Sequence, residues 1–505
     1  MPLWACLIFP SLPLDVFARA LSPADAAHPF VVSSGGHYPR VVAANAAACD
    51  TGIRPGQLIS AALAFAPELR SRDRDADAET RALAQLATWA LTFTPNAGLA
   101  PPDAIVAEIG GSLRLFSGLP QLVSQLAKGA GALGYTPRLG LAPTPGAALL
   151  FARAGRTQPV TTLAELPGLL APLPLTRVDL DDALRTTLGH AGITTFGQAA
   201  ALPRDALARR GGDELVRTID RALGRVTDPR TPFAPPPRFE SKLDLPSPVH
   251  DAEALGFGVN RLVQELSTWL TARGLGVTRL QLTLAHERYL RQRGLPATAV
   301  TFALGAPARM PAHLLGVLRE RLARVTLPAP VESIALTSDE TAPLAGRNLG
   351  LLPEDEGAAV DVPLVDRLRA RLGDDAVVCV APHAEHRPEH AAREVTAAAG
   401  VRAATKRRAG ARSIKRPEAV AGNLPDAPRP LWLLTEPQPL AHLFEAKPWI
   451  LRDGPERIES GWWDGGDVRR DYFVAENPQG EIVWIYRDHR YGIDDGEWFL
   501  HGIFA

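Results

Sequence analysis

"MPLWACLIFPSLPLDVFARA", residues 1–20, sets an uncharged apolar run directly ahead of two prolines. A short continuous apolar run that ends at turn-forming residues, as residues 3–9 do, is typical of a buried strand. Pro10 and Pro13 favour a turn immediately after it. The sequence therefore predicts a buried first strand that runs into a turn, and the first acidic side chain of the chain is Asp15.

Length and composition indicate an ordinary globular chain. Its 505 residues are 46% hydrophobic and 22% charged, with a formal net charge of −1, and they are too many for one core. A near-neutral total does not exclude nucleic acid, because the placement of the cations decides that question. Cys6, Cys49 and Cys379 are too scattered for a disulfide framework or a thiolate zinc site. Since no signal peptide and no apolar run of ~20 residues is present, we expect a cytoplasmic protein without membrane contact.

Patterning in the first two thirds of the chain indicates several domains. Residues 1–165 mix short strands and helices, and residues 166–230 contain helical segments separated by glycine and proline. A proline-rich connector follows at 230–239. Residues 239–340 then alternate strand, helix, strand, strand, helix and strand, and this order predicts a four-stranded sheet backed by two helices.

The last third of the chain changes character twice. Residues 381–428 are poor in aliphatic side chains and are predicted to be a linker. Residues 429–505 alternate apolar and polar positions between glycine-rich turns, among them Pro478–Gly480, and are predicted to form a small all-β domain. The fold class predicted for the whole chain is α+β multidomain.

This order of elements resembles that of the Y-family (DinB/UmuC-like) DNA polymerases over about residues 1–340. Within that family it is most similar to the ImuB-like branch, which is thought to lack polymerase activity and to serve damage-induced mutagenesis. The resemblance implies a right-hand polymerase-like fold. The implied domains are a palm at 1–165 with inserted fingers at about 28–78, a helical thumb at 166–230, a β-α-β-β-α-β little finger at 239–340, a clamp-motif loop and basic linker at 341–428, and an acidic, aromatic-rich β domain for partner docking at 429–505.

The positions that correspond to the catalytic carboxylates of active members carry other side chains. Nucleotidyl transfer needs two metal ions about 4 Å apart, held by several carboxylates. On the family's Asp-x-Asp pattern, Ser11 and Pro13 take the acidic positions, and a shift of one residue offers only leucines. The second palm motif keeps Asp103 but has Ala104 in place of glutamate. The resemblance therefore implies a protein that is not an enzyme and holds no metal or other cofactor.

The nucleotide-binding positions of the family are degenerate as well. Active members grip the triphosphate with the Tyr and Arg of an Asn-Tyr-x-Ala-Arg stretch, where this chain has "NAAAC" with Ala46 and Cys49. A lysine that touches the phosphates corresponds to Pro145. We expect no nucleotide site.

DNA binding is predicted from arginines of the little-finger segment. Arg279, Arg288, Arg291 and Arg293 lie where cations contact a duplex backbone, a contact that carries no sequence information. Arginines that are merely solvated at the edge of a sheet would produce the same pattern. A second cationic stretch, "RAATKRRAGARSIKR" at 402–416, indicates either a DNA-binding tether or a spacer without a role.

A candidate clamp-binding peptide follows the little finger. Sliding-clamp ligands of bacteria are short extended peptides of the form Gln-Leu-x-Leu-Phe, whose apolar side chains fill a surface pocket. Asn348, Leu349, Gly350, Leu351 and Leu352 match that form, with Asn for Gln and Leu for Phe. Leucines that pack beneath a loop are the alternative interpretation.

The acidic composition of the C-terminal segment favours a protein partner over phosphate. Trp462, Trp463, Trp484 and Trp498 are expected to form most of its core, with one or two of them exposed as anchors. The resemblance implies docking of an ImuA-like, RecA-related protein and an error-prone C-family DNA polymerase.

The sequence as a whole predicts a non-catalytic adaptor of DNA-damage tolerance, translesion synthesis and SOS-induced mutagenesis. Its expected partners are damaged or primed DNA, the sliding clamp, the ImuA-like protein and the C-family polymerase. Two other interpretations stay open, an active translesion polymerase with rearranged ligands and a protein-only scaffold that never contacts DNA.

Overall fold

A computed structural model describes residues 2–21, 23–208, 212–344, 362–396, 428–440, 449–489 and 497–504. The chain forms two compact units, Met1–Glu356 and Gly357–Ala505. Both units contain helices and strands, and the predicted α+β multidomain class is confirmed. Within the described residues, every helix is too short or too polar to cross a bilayer.

The amino-terminal sheet is antiparallel, with β1 inside it. Its strands, in spatial order, are β5 (Ala97–Ala100), β6 (Ala104–Glu108), β1 (Trp4–Ile8) and β7 (Arg138–Ala142). Trp4 is opposite Glu108 on one side and Ala142 on the other. The predicted first strand is thus paired along both edges.

Helices cover both faces of this sheet, so β1 has no polar face. Ala5, Leu7 and Phe9 pack on one side, against α5 (Ala76–Ala90) and α6 (Leu119–Ala132). Cys6 and Ile8 pack on the other side, against α7 (Pro145–Ala154) and the helices that follow it. Successive side chains of a strand point to opposite faces of the sheet, and here both faces are buried against apolar side chains.

The predicted turn after β1 is present at Pro10 and Ser11, and a helix that the sequence analysis does not predict begins directly after it. Helix α1 spans Leu12–Ala18, with Ser11 as the residue before it and Pro13 in its first turn. Proline suits a first turn, where its missing N–H would have no helical partner. Leu12 and Leu14 are buried and hold the helix on the core. A short helix, α2 (Pro23–Ala26), follows.

A second, three-stranded sheet is inserted between β1 and α5. Its strands are β2 (Phe30–Ser33), β3 (Val41–Ala44) and β4 (Arg70–Asp73), in the order β3-β2-β4, and its helices are α3 (Ala46–Asp50) and α4 (Ile59–Phe65). Val31, Val41 and Ile53 form part of its separate core. The insertion lies within the range predicted for the fingers.

The segment after α7 is helical, as the punctuation of the sequence predicts. Its helices are α8 (Leu166–Leu170), α9 (Asp182–His190), α10 (Phe196–Ala200), α11 (Arg204–Ala208) and α12 (Asp213–Ala222). Their buried leucines join the core on the α7 side of the amino-terminal sheet.

The predicted β-α-β-β-α-β order is confirmed. The helix-backed sheet has the spatial order β10-β9-β11-β8, and every neighbouring pair is antiparallel. Its elements are β8 (Phe239–Val249), α13 (Gly256–Arg273), β9 (Leu275–His286), α14 (Arg288–Gln292), β10 (Thr298–Ala308), α15 (Pro311–Leu322) and β11 (Val331–Pro343). Helix α13 ends at Gly274, whose φ of +66° is a conformation that glycine adopts easily.

A buried polar network joins the helix-backed sheet to α1 and α5. Arg19, the residue after α1, forms an ion pair with Glu265 of α13 and donates a hydrogen bond to the Tyr135 hydroxyl. Gln85 Nε2 donates to Ser241 Oγ at 2.9 Å, and the Ser241 hydroxyl donates in turn to Glu265. Removing one partner of a buried charge pair typically costs about 3–5 kcal/mol, so this network fixes how the sheet is docked.

The second unit contains ordered elements where the sequence predicts a linker. Helix α16 (Val362–Leu372) and the hairpin of β12 (Val378–Pro382) and β13 (Ala392–Thr396) lie inside the range 341–428. The prediction is wrong for residues 381–396, because buried ion pairs attach this hairpin to the C-terminal sheet. Arg470 Nη1, for example, donates to Glu389 Oε1 at 3.0 Å.

The C-terminal sheet is antiparallel and five-stranded. Its spatial order is β14-β18-β17-β16-β15, with β14 (Trp432–Pro439), β15 (Ile450–Ser460), β16 (Val468–Glu476), β17 (Ile482–Asp488) and β18 (Trp498–Ile503). The predicted hairpin joins β16 to β17, and Gly480 in its turn has a φ of +87°.

Only part of the predicted tryptophan core is present in this sheet. Trp484 is buried and stacks on Tyr472, with ring centroids 4.0 Å apart. Trp498 is half-buried, whereas Trp462 and Trp463 are exposed. The prediction that all four contribute to the core is therefore wrong for the Trp462–Trp463 pair, and the expected alternative of one or two exposed anchors applies to it.

Candidate functional site

The positions that correspond to a polymerase metal site meet at one edge of the amino-terminal sheet. The backbone N–H of Phe9, just past β1, donates to the Asp103 carbonyl at 2.8 Å, so the end of β1 lies beside the start of β6. Ser11 and Pro13 enter α1, and Ala104 is fully buried. Asp103 is half-buried and supplies the one carboxylate among the four positions.

The neighbouring carboxylates serve the fold. Burial raises the pKa of Asp15 to about 6, against a backbone hydrogen bond from Thr136 and the charge of Arg19, which both lower it. At the far end of β6, Glu108 Oε1 accepts from the backbone N–H groups of Leu3 at 3.2 Å and Gly110 at 2.9 Å.

Two arginines and Asp103 lie within electrostatic range of Cys6 on β1. Burial raises the pKa of the Cys6 thiol to about 12, the guanidinium groups of Arg153 and Arg230 oppose that shift, and the Asp103 carboxylate adds to it. A site for two divalent cations needs several carboxylates and does not suit nearby guanidinium groups. Among the described residues no cluster of three His, Cys, Asp or Glu side chains is suited to a metal ion. The residues present therefore do not fit the metal pair of an active polymerase.

The end of α7 that corresponds to the phosphate-binding position is covered by the chain itself. Thr144 Oγ1 caps α7 by accepting from Ala147 N and donates to the Ala222 carbonyl at 2.8 Å, so the end of α12 packs against it. A Cβ at Gly146 would lie 3.2 Å from Ala222 Cα and 3.5 Å from Asp228 Oδ2. Pro145, in place of a lysine, is buried.

Asp228 is a residue that the sequence analysis did not identify. Its side chain is 7% exposed and pairs with Arg230 at 2.7 Å. A carboxylate beside the amino-terminal end of a helix has a favourable interaction with the helix dipole, and it repels the negative phosphates of a nucleotide. Its only signal in the sequence is its position just before the proline-rich connector.

In the inserted sheet, the degenerate nucleotide positions lie on α3. Asn45 Oδ1 caps this helix by accepting from Ala48 N at 2.9 Å, and it also accepts from Phe30 N at 3.0 Å. Ala46 is exposed and Cys49 is half-buried. Neither side chain has the hydroxyl or guanidinium that would hold a triphosphate.

The structure brings three of the four predicted DNA-binding arginines together. Arg288 and Arg291 belong to α14 and Arg293 follows it, whereas Arg279 lies on the exposed face of β9. The Arg293 guanidinium lies 4.5 Å from the centroid of the Tyr289 ring.

A cleft of about 290 Å³ next to α14 collects further cations that sequence reasoning missed. Arg72 of the inserted sheet and Lys242 of β8 line it together with Arg288 and Arg291. No local pattern predicts this set, because β4, β8 and α14 meet only in the folded chain. Asp244 and Glu332 are the acidic side chains of the lining.

Several cations of this surface are already paired within the chain. Arg279 lies 3.3 Å from Glu340, Arg291 lies 3.3 Å from Glu332, and all four side chains are at least one-third exposed. Exposed pairs of this kind contribute about 0–1 kcal/mol, so a phosphate can replace the carboxylate at little cost.

The candidate clamp peptide, Asn348, Leu349, Gly350, Leu351 and Leu352, lies outside the described residues, as does the basic segment 402–416. Both stay predictions from sequence.

Comparison with known proteins gives consistent matches. Residues 16–153 match the IMS model, described as the impB/mucB/samB family. The chain is 30% identical over 478 residues to Protein ImuB of Caulobacter vibrioides (strain NA1000 / CB15N), covering 90% of this chain and 100% of that protein. Protein ImuB of Caulobacter vibrioides strain ATCC 19089 / CIP 103742 / CB 15 matches with the same values.

Solved structures similar to this chain include a polymerase chimera and a DinB protein. They are the Y-family DNA polymerase chimera Dbh-Dpo4(243-245)-Dbh and DinB from Sulfolobus solfataricus. They are 16% and 17% identical, with TM-scores of 0.39 and 0.38, and each comparison covers 67% of this chain and 98% of the other.

We predict that Asp228→Ala destabilises the first unit by about 1–3 kcal/mol, because it leaves the partly buried Arg230 without its partner. Glu214→Ala is the matched control, since Glu214 pairs with Arg217 at 2.7 Å but both side chains are more than half exposed. Glu214→Ala should lower the free energy of unfolding by less than about 0.5 kcal/mol. Calorimetric unfolding of the full chain measures the change in stability for both variants. If both variants lose equally little stability, the conclusion that Asp228 covers the end of α7 is contradicted.

Proposed function

Because the chain belongs to the ImuB family of Y-family polymerase-like proteins, we propose that it is a non-catalytic adaptor of DNA-damage tolerance and induced mutagenesis. It holds primed or damaged DNA and the sliding clamp. It recruits an ImuA-like, RecA-related protein and an error-prone C-family DNA polymerase, and that polymerase performs the synthesis.

The observation that carries this proposal is the set of side chains beside the end of β1, at the positions that correspond to metal ligands in an active polymerase. Asp103 is the one carboxylate among the degenerate catalytic positions, and two arginines act electrostatically on the neighbouring Cys6 of β1. The end of α7 is covered by Ala222 and Asp228, where a nucleotide would need open backbone N–H groups or a lysine. These features support a polymerase-like protein that does not transfer nucleotides.

DNA binding is supported by the cations around α14 and their cleft. Contacts between arginine and phosphate are electrostatic and independent of sequence, which suits a protein that must accept many lesions and primer ends. The ion pairs with Glu332 and Glu340 favour the rival, a protein-only scaffold, because they satisfy the same arginines without DNA.

Clamp binding is supported by the sequence Asn348–Leu352 and by its position along the chain. The peptide follows the last strand of the helix-backed sheet, β11, and precedes α16 of the second unit. Extended peptides bind in this way by placing alternate side chains in the pockets of a partner protein.

The acidic C-terminal sheet supports protein docking. Residues 429–505 contain fourteen acidic and eight basic side chains, a balance that disfavours phosphate and complements a basic protein surface.

For DNA binding, we expect the double charge reversal Arg288→Glu/Arg291→Glu to weaken binding of primed DNA at least about 10-fold at low salt. The slope of log affinity against log salt should fall by about two, because two phosphate contacts are lost. Fluorescence anisotropy over a salt series measures both.

The matched control for this experiment is Arg367→Glu/Arg371→Glu on α16, which makes the same change in net charge at exposed positions of the second unit. We expect it to bind nearly as the wild type does. Equal binding by all three proteins, or no salt-dependent binding by the wild type, would favour the protein-only scaffold.

For clamp binding, we expect Leu351→Ala/Leu352→Ala to reduce recovery of purified sliding clamp at least about 10-fold, because the side chains that would fill the clamp pocket are lost. Leu364→Ala/Leu368→Ala, two exposed leucines of α16, is the matched control and should recover the clamp normally. Equal recovery by both variants would remove the clamp assignment.

A further inference from the structure

A cavity of about 180 Å³ lies between α5 and the helix-backed sheet, and it is here called the α5–α13 pocket. Side chains of α5 and of the segment around Arg19 form one wall, and side chains of β8 and α13 form the other. A pocket for a drug-sized ligand measures about 300–1,000 Å³, so this one suits a smaller group of one or two rings. Arg81 and Glu240 also line it and are exposed, so the pocket opens to solvent.

Buried polar side chains form part of the lining. Arg19, Ser241 and Glu265 are each at least nine-tenths buried. Glu265 pairs with Arg19 and accepts a hydrogen bond from Ser241, but within the described residues Arg19 Nε has no hydrogen-bond partner. A buried donor without an acceptor is unfavourable, so a ligand that brings a carbonyl oxygen or a ring nitrogen to this point is stabilised there.

Aromatic side chains form the apolar part of the lining. The rings of Phe239 and Trp269 have centroids 5.9 Å apart. Trp269 Nε1 donates to the Pro236 carbonyl at 3.0 Å, which fixes the indole. Aromatic side chains stack on the flat faces of nucleobases without regard to base identity. The lining therefore suits a planar ring system that is apolar on its faces and polar at its edge, as a nucleobase is.

The α5–α13 pocket adjoins the cationic cleft next to α14. Phe17, Lys242 and Asp244 line both. Lys242 Nζ lies 2.7 Å from Asp244 Oδ1, and both side chains are about half exposed, so a phosphate can replace the carboxylate at little cost. A pocket for a planar ring beside a cationic cleft matches the two parts of a nucleotide, a base and a phosphate that are joined through a sugar.

We propose that the α5–α13 pocket binds the base of an unpaired nucleotide, whose phosphate lies in the cationic cleft next to α14. Two sources supply this chemistry, a nucleotide turned out of bound DNA and a free nucleotide. The first source rests on the proposed function, which assigns DNA binding to the cations around α14. Turning a base out of a duplex costs least where that base is damaged or mismatched, so the DNA that a damage-tolerance protein meets supplies such a base readily.

The test measures binding of the full-length chain to two probes. One is primed DNA with a single unpaired 2-aminopurine in its template strand, and the other is the free 2-aminopurine deoxyribonucleotide. We expect the wild type to bind this DNA at least about 10-fold more tightly than a fully paired duplex or a duplex with an abasic site at that position, since stacking of one base on an aromatic side chain is worth such a factor. Anisotropy gives the affinities, and 2-aminopurine fluorescence reports whether the base is stacked.

Two variants fill the pocket from opposite walls. Ala84→Trp on α5 and Thr268→Trp on α13 each enlarge a half-buried residue of the lining. Each should abolish the preference for the unpaired base and leave the affinity for fully paired DNA nearly unchanged. Ala127→Trp on α6 is the matched control and should keep the preference, because Ala127 is exposed and is not part of the lining. Circular dichroism checks that each variant is folded, and either pocket variant alone suffices for the comparison.

The outcomes separate the pocket from the proposed function. Loss of the preference in a pocket variant assigns the site to DNA-bound nucleotides, and binding of the free nucleotide that the same variant abolishes assigns it to free nucleotides. If the wild type binds neither DNA nor the free nucleotide, the DNA-binding role fails and the pocket assignment with it. If the wild type binds all three duplexes equally and does not bind the free nucleotide, or if the pocket variants bind both probes as the wild type does, the pocket assignment alone is wrong.

Discussion

The fold of the first unit depends on a strand that is apolar on both faces. Ala5, Cys6, Leu7 and Phe9 are fully buried, and each large side chain among them contributes roughly 1.5–3 kcal/mol by leaving water. An ionised carboxylate in this layer would need a metal or a cation to offset its desolvation. Apolar packing alone keeps the strand in place, with α7 on one face of the sheet and α5 and α6 on the other.

The docking of the other elements follows from that arrangement. Gly140 of β7 lets α7 press against the sheet, since a Cβ there would lie 2.1 Å from the Ala148 carbonyl. The end of α12 and Asp228 then cover the first turn of α7. On the opposite side, Arg19 reaches Glu265 and ties the helix-backed sheet to α1. The first turn of α7 is thus covered by the chain's own residues, while arginines and a lysine line a cleft next to α14.

Local sequence patterns predict most of the helices and strands. The features that they do not predict depend on contacts between residues that are far apart in the sequence. The order of the helix-backed sheet follows from strand and helix periodicity. Gly274 ends α13 and Gly480 lies in the turn between β16 and β17, as glycine commonly does. The sequence predicts a linker in place of the β12–β13 hairpin, because the hairpin is held by Arg387 and Glu389, whose partners are about 80 residues away. The role of Asp228 is missed because its carboxylate meets the first turn of α7 only in the folded chain. The candidate clamp peptide at 348–352 lies outside the described residues and stays a prediction from sequence.

The central claim is that this chain binds primed DNA without extending it. Single-nucleotide incorporation on a primed template, with Mg²⁺ and separately with Mn²⁺, tests it most directly when DNA binding is measured in the same sample. The account predicts bound DNA and no extended primer, at protein concentrations where an active Y-family polymerase extends every primer. Extension that co-purifies with the chain and disappears in Asp103→Ala would contradict it.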